Sequence, residues 1–277
     1  MRNITKKGCA ALLAVLVLAG CAQKTKEPSP QQESPAPNQE QSEVPAEQAP
    51  QMSPLTEEST SARKAYAAAL KTLLDTNVLP DGTDFSDGYI GSIQDRERMA
   101  ENKFTVYDVD GDGREELVLL YAAAPAMAGM AGFVYDYDAQ KQALRSQLTE
   151  FPALTFYENG AVKADWSHNQ GKAGDGFWPY NLYLYDQETD SYQEAASVDA
   201  WDRETFPEEY PSTADTSGTG RVYYIYRDLA AEWDQIDPVD ESAYQSWLDD
   251  CLGGAGELSL PYLSLTAEHI QSLLAAG

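Results

Sequence analysis

Apolar and polar positions follow a helical period near the two ends of the chain and a strand-like period between them. Apolar residues recur at helical spacing over Ser61–Asp75, Glu241–Leu252 and Ala267–Leu274, and a shorter helix is predicted over Ile93–Glu101. The predicted strands are Phe104–Tyr107, Leu117–Tyr121, Phe133–Asp138, Leu154–Tyr157, Ala161–Ser167, Leu182–Asp186, Tyr192–Val198 and Val222–Arg227. This order predicts an α+β fold, with an antiparallel β-meander sheet flanked by N- and C-terminal helices.

Short similarities within the strand region indicate repeated hairpin units. Asn159-Gly160 is a strong turn signal between two predicted strands. Tyr135–Asp138 and Leu184–Asp186 recur in similar hairpin contexts. The similarity is too weak to predict a β-propeller.

The loop after the first predicted strand carries acidic residues in the register of a calcium-binding loop. Its aspartates occupy positions 1, 3 and 5, glycine position 6 and glutamate position 9, as Asp108, Asp110, Asp112, Gly113 and Glu116. Alternate side chains of a tight loop turn inward together and offer oxygen atoms to Ca²⁺, and the position-7 carbonyl of Arg114 is expected to add another. The alternative is a solvated acidic hairpin turn, since Asp-Gly is itself a turn signal.

This loop is not an EF-hand, because Leu119 stands at position 12 and the flanking segments are predicted strands. The strand–DxDxDGxxE–strand pattern resembles the calcium loops of FG-GAP-type and related bacterial surface repeats. That resemblance implies that Glu116 serves as the acidic ligand. Asp84 or Asp87, in an acidic loop upstream, is a further candidate ligand.

A second loop, Asp215–Arg221, aligns with Asp108–Arg114 but has lost most of its acids. Ser217 replaces Asp110 and Thr219 replaces Asp112. One carboxylate with neutral oxygens is a poor set of ligands for a divalent cation. We therefore predict that this loop binds no metal; the alternative is a chance similarity of glycine-rich turns.

The N-terminal residues have the pattern of an export signal. A basic start is followed by the short apolar run Cys9–Ala19, and Leu18-Ala19-Gly20-Cys21 resembles a bacterial lipobox. The resemblance implies cleavage before Cys21 and attachment of a diacylglycerol to its sulfur; an ordinary secretory signal is the alternative. We divide the chain into a signal peptide at 1–20, the lipidated cysteine with a Pro/Gln/Glu spacer at 21–60, and one globular domain at 61–277.

Charge and cysteine content narrow the classes of partner. The formal net charge of −26 argues against nucleic acid and anionic lipid surfaces as partners. After removal of the signal peptide and lipidation of Cys21, only Cys251 remains, so no intrachain disulfide can form. Cys251 lies on the apolar face of a predicted helix and is expected to be a core thiol.

Catalytic motifs are absent from the sequence: it has no G-x-S-x-G, H-E-x-x-H or Walker A pattern. Ser167 and His168 are neighbours, and on a continued strand their side chains would point to opposite faces and not pair. Trp166, His168, Asn169 and Trp178 surround a glycine-rich stretch and are candidate ligand-binding residues; the alternative is that the tryptophans are core residues. A glycosidase carboxylate pair stays open, because it is set in space.

Several motifs together resemble surface lipoproteins of Gram-positive, Clostridia-type bacteria. They are the lipobox, the Pro/Gln spacer, the Asp108–Leu117 loop, Phe156–Gly160 with Trp166–Gly171, and Leu265–Ile270. The resemblance implies a lipid anchor on the outer face of the cell membrane and carries no activity over. We expect a monomeric, calcium-stabilised, non-catalytic binding module for a glycan or peptide; the alternatives are a hydrolase of envelope or dietary polymers and an envelope assembly factor.

Overall fold

In the residues that it describes, the computed structural model contains two five-stranded antiparallel sheets and three α-helices. The structure describes residues 56–84, 96–124, 126–169, 171–227 and 236–275. These belong to one compact unit, Met52–Gly277. The predicted signal peptide, the lipidation site Cys21 and most of the spacer lie outside the described residues, as does Asp87.

The first sheet has the strand order β10-β1-β2-β3-β4 and the second the order β5-β6-β7-β8-β9. The strands of the first sheet are β1 Lys103–Tyr107, β2 Glu116–Tyr121, β3 Ala131–Asp138, β4 Ala143–Glu150 and β10 Leu263–Ser264. Those of the second are β5 Leu154–Phe156, β6 Val162–Asp165, β7 Tyr180–Asp186, β8 Ser191–Asp202 and β9 Arg221–Tyr226.

The helices are α1 Glu57–Thr76, α2 Glu241–Leu252 and α3 Ala267–Ala275, each with a polar residue at its start. Thr56 and Asp240 accept the N–H groups of Ser59 and Ala243, and Thr266 accepts that of His269. Such caps satisfy N–H groups that lack a partner inside the helix. The shorter predicted helix is a 3₁₀ helix over Arg96–Glu101 where the structure describes it.

The two sheets contain the same hairpin. A β-bulge interrupts the β3–β4 pairing between Val134 and Tyr135 and the β7–β8 pairing between Leu182 and Tyr183. The turns that follow end on Gln142 and Asp190, with φ of 52° and 51°. Bulges and turns at equal offsets indicate that the meanders β1–β4 and β5–β8 are repeats of one unit.

Three apolar clusters hold these layers together. Helices α1 and α3 pack against the first sheet, and α2 packs against the second, with Cys251 half-buried there as a core thiol. The third cluster joins residues of both sheets: Val109, Val118, Val134, Leu148, Phe156, Val162 and Tyr192. The acidic loop between β1 and β2 therefore lies at the boundary of the two sheets, since Val109 belongs to this cluster.

The α+β class and the antiparallel meander are confirmed, but the strands divide between two sheets and not one. The sequence pattern did not predict β4 and β10, the edge strands of the first sheet. Both are poor in buried apolar positions; in β4 only Leu148 is buried. Among the described residues, no helix combines the length and apolar character needed to cross a bilayer.

Candidate metal centre

The acidic loop is closed by its own carboxylates and by two glycines with positive φ. Asp108 accepts the N–H groups of Gly111 and Gly113 at 2.8 and 3.1 Å. Those glycines have φ of 77° and 90°, a region that costs residues with a Cβ about 1–2 kcal/mol. The loop is thereby closed around one point, toward which Asp108 and Asp110 turn, whereas Asp112 turns to Arg114.

Three of the predicted ligands meet at that point. One carboxylate oxygen from each of Asp108, Asp110 and Glu116 lies within 4.8 Å of the other two. Asp110 and Glu116 are buried. Glu116 accepts the N–H of Val109 with Oε2 at 3.0 Å, while its buried Oε1 has no hydrogen-bond partner within the described ranges.

The cluster is electrostatically unfavourable without a cation. Burial and the neighbouring carboxylate of Asp110 raise the pKa of Glu116 to about 9. Burial, together with Asp112 and Asp108, raises the pKa of Asp110 to about 6 against the hydrogen bonds it accepts. Carboxylates in such an arrangement either take up protons or are compensated by a positive charge.

Asp112 belongs to a second acidic group, which the protein already neutralises. Its partners there are Asp110 and Asp190, the last residue of the β7–β8 turn. The guanidinium of Arg114 contacts Asp112 at 2.6 Å and Asp190 at 3.2 Å, and Arg145 contacts Asp190 at 2.5 Å. This difference in compensation indicates that the first group, and not the second, is the one suited to bind a cation.

No sequence pattern indicated that Asp190, Arg145 and Gln147 lie at this site. Gln147 donates to Asp190 at 3.1 Å and to Asp110 at 3.5 Å. Burial acts to raise the pKa of Asp190, but hydrogen bonds from Tyr185 and Arg114 and the charge of Arg145 hold that pKa below its ordinary value. Their sequence neighbourhood carries no metal motif; only the pairing of the two repeated hairpins brings them to the loop.

Helix α1 fixes the far end of the loop. Arg63 makes two hydrogen bonds of 2.6 and 2.7 Å to the carboxylate of Glu115. The Tyr66 hydroxyl donates to the Glu115 carbonyl at 2.7 Å. Because Glu115 is paired with Arg63, it stands apart from the uncompensated group although it adjoins Glu116.

The structure bears differently on each of the other candidate metal ligands. Asp84 is described and pairs through its backbone with Val78; it is not a member of either acidic group found in the described part of the chain. The Arg114 side chain crosses to Asp190, and its carbonyl stays a predicted ligand. Asp87 lies outside the described residues.

The loop at Asp215 has the backbone form of the acidic loop. Asp215 accepts the N–H of Gly220 at 3.0 Å, as Asp108 accepts that of Gly113, and Gly218 and Gly220 have φ of 71° and 81°. The Arg203 guanidinium lies 4.0 Å from the Asp215 carboxylate. The similarity of the two loops extends to geometry, and that the second binds no metal stays a prediction.

The four candidate ligand-binding residues are not all placed alike. Trp166 and His168 line an open groove of about 480 Å³ with Met127, Glu150 and Phe151 among the other wall residues. Asn169 instead folds back on its own loop, donating to the carbonyls of Gly174 and Phe177 at 2.6 and 3.0 Å. It therefore holds the loop, and its amide is not presented to a ligand.

The two tryptophans stand beside each other at the surface of the β6–β7 loop. Trp178 is 43% exposed and donates its indole N–H to the Trp166 carbonyl at 2.7 Å. Trp166 is half-buried and donates to Asn181 at 2.8 Å. The alternative that Trp178 is a core residue is thus wrong.

The expectation that Ser167 and His168 cannot pair is also wrong. Ser167 Oγ lies 2.7 Å from His168 Nδ1. The premise failed because β6 ends at Asp165 and the backbone bends at these two residues, so strand alternation does not apply. The pair is a local contact between neighbours, with His168 exposed.

Comparisons with known proteins assign the chain to no family. No protein-family model matches it, and no curated protein or solved structure matches it either.

Proposed function

We propose that this chain is a lipid-anchored, extracytoplasmic lipoprotein whose domain is stabilised by one calcium ion held by Asp108, Asp110 and Glu116. The observation that carries the cation site is the Glu116 carboxylate, which is fully buried beside two other carboxylates with one oxygen unpartnered among the described residues. A buried anion of this kind is costly unless it is paired or coordinates a metal.

The donor set favours calcium over other common metals. All three side chains offer oxygen, which suits hard cations, whereas zinc prefers nitrogen and sulfur ligands. Opposite ligands of a calcium ion lie about 4.6–5.2 Å apart, since each Ca–O distance is about 2.3–2.6 Å. The observed group, with its oxygens all within 4.8 Å of one another, fits within that span. Magnesium requires a tighter octahedron, so we expect it to bind more weakly.

Titration calorimetry with Ca²⁺ and Mg²⁺ tests the site. We expect one equivalent of calcium, with a dissociation constant on the order of 10⁻⁴ to 10⁻³ M as in extracellular modules that lack a full EF-hand ligand set. Asp110→Ala should abolish the binding. Asp250→Ala, which removes an exposed acid of α2, is the matched control and should leave it unchanged. Calcium binding that survives in Asp110→Ala would refute the assignment, and two equivalents would contradict the prediction for the Asp215 loop.

The lipid anchor rests on the Leu18–Cys21 tetrapeptide and the apolar run before it. Two acyl chains are sufficient for stable attachment to a membrane without a spanning helix. In the native host, Cys21→Ser should move the protein from the membrane fraction to the soluble fraction. The control is Cys251→Ser, because Cys251 is half-buried in α2. Membrane retention of Cys21→Ser would contradict the anchor.

We further propose a non-catalytic binding role, with the groove at Trp166 and His168 as the ligand surface. Its mixed wall of aromatic, methionine and polar side chains suits a glycan or a peptide. A hydrolase is the alternative, and the Ser167–His168 contact is the observation that favours it. In a nucleophile–base pair, a third group orients the base. Within the described ranges, no hydrogen bond reaches the other ring nitrogen of His168 to do so. An envelope assembly factor remains the other alternative.

A further inference from the structure

A tyrosine of the second sheet has a buried hydroxyl with no evident structural use. Tyr192, on β8, is 8% exposed, and its ring packs in the cluster shared by both sheets with Val109 and Val118. Its hydroxyl has no hydrogen-bond partner in the part of the chain that the structure describes. Leaving such a group buried and unpaired destabilises the folded state, because the group loses its hydrogen bonds to water.

Its neighbours place the side chain of Tyr192 beside the acidic loop, to which Val109 belongs. The ring of Tyr185 lies 5.6 Å from the ring of Tyr192, and Tyr185 donates at 2.6 Å to Asp190. Asp190 in turn lies within 4.8 Å of the Asp110 carboxylate. Burial raises the pKa of the Tyr192 hydroxyl, and the negative charges of Asp110 and Glu116 raise it further.

Two buried oxygens around this loop thus have no hydrogen-bond partner among the described residues: Glu116 Oε1 on β2 of the first sheet and the Tyr192 hydroxyl on β8 of the second. They are chemically complementary once a cation is bound. Ionised carboxylates are acceptors only, whereas a phenol has a proton to donate. Asp110 has capacity for such a bond, because its Oδ2 receives only a long contact of 3.5 Å from Gln147.

We propose that Tyr192 is a positioning residue of the cation site: when a cation is bound, its hydroxyl, supplied by the second sheet, donates to one of the cation-binding carboxylates, so that the bound ion joins the two sheets. This inference rests on the proposed calcium site. It adds a contribution from a residue that no sequence motif marks. Groups that orient metal ligands in this way typically change metal affinity about 10–100-fold when removed.

Tyr192→Phe tests the proposal, with Tyr135→Phe as its matched control. Tyr135 is another buried tyrosine whose hydroxyl has no partner among the described residues, but it belongs to the core under α1 and α3. Calcium titration of the full chain should show an affinity at least about tenfold weaker for Tyr192→Phe and unchanged for Tyr135→Phe.

Terbium luminescence gives a second readout, which reports whether the Tyr192 phenol lies close to the bound ion. Tb³⁺ replaces Ca²⁺ at oxygen sites and is excited by energy transfer from a nearby tyrosine. Tyr192→Phe, saturated with Tb³⁺, should lose much of the tyrosine-sensitised emission while keeping the emission excited directly. If that variant fails to fold, Tyr107→Phe and Tyr185→Phe replace it, and both should retain the emission; its loss in either would overturn the proposal.

The outcomes distinguish a failure of the role proposed for Tyr192 from a failure of the calcium site on which it rests. Wild-type protein that binds neither Ca²⁺ nor Tb³⁺ would refute the calcium site and the role of Tyr192 with it. A wild type that binds calcium, together with a Tyr192→Phe variant of equal affinity and equal sensitised emission, would refute the role of Tyr192 alone.

Discussion

In the presence of a chelator, the protein should lose stability as the pH rises from about 5 to 9, and saturating calcium should remove most of that loss. The pKa of Glu116 is raised from 4.5 to about 9 in the folded state, and that of Asp110 from 3.8 to about 6. Between those limits the folded chain holds protons that the unfolded chain has released. Stability falls with pH wherever the unfolded state binds fewer protons.

The expected effect is large because one pKa unit corresponds to 1.36 kcal/mol. For Glu116, which is fully buried, the loss is on the order of several kcal/mol by pH 9. Below about pH 4 the trend should reverse. Carboxylates with lowered pKa values, such as Asp190 and Asp202, then take up protons and their hydrogen bonds to arginine weaken.

Glu116→Gln and Glu115→Gln are the pair of variants that isolates this effect. Glu116→Gln removes the buried charge, so in chelator at pH 8 it should be more stable than wild type and should no longer respond to calcium. Glu115→Gln weakens the pairing with Arg63 and should be less stable with and without calcium. Urea unfolding across pH measures both. If the stability of wild type in chelator did not change between pH 5 and 9, the raised pKa values of Glu116 and Asp110 would be contradicted.

The acidic group of Asp108, Asp110 and Glu116 was predictable because it is encoded locally. Asp108, Asp110 and Glu116 lie in one short loop, where alternation of side chains and the glycine positions fix which groups face inward. The helices were predictable for a similar reason, since apolar spacing and a capping residue are local features.

What escaped prediction depends on contacts between distant parts of the chain. Arg114 meets Asp190 across 76 residues, and Gln147 meets Asp110 across 37. Such pairs depend on how the two repeated hairpins pack, which no local pattern reveals. Strand β4 was missed for a related reason: as an edge strand it uses Arg145 and Gln147 for the polar network and buries little apolar surface.

One glycine connects the second repeat directly to the acidic loop. Gly160, in the β5–β6 turn, has φ of 79°, and a Cβ built on it would lie 2.6 Å from the Asp110 carbonyl oxygen. Asp110 is a cation ligand in our proposal, so this close approach sets the position of the loop against the second sheet. No side chain fits between the two backbones without moving one of them.

Gly160→Ala should therefore destabilise the protein by about 3 kcal/mol, the sum of a left-handed backbone at ~1–2 kcal/mol and an overlap at ~1–3 kcal/mol. Gly218→Ala is the matched control: its φ is 71°, but a Cβ there meets nothing within 4 Å, so only the backbone cost of ~1–2 kcal/mol remains. Because the overlap displaces Asp110, Gly160→Ala should also weaken calcium binding, and Gly218→Ala should not. Urea unfolding and calcium titration of both variants measure the two effects. If Gly160→Ala and Gly218→Ala lost equal stability and kept their calcium affinity, the β5–β6 turn would not position the acidic loop.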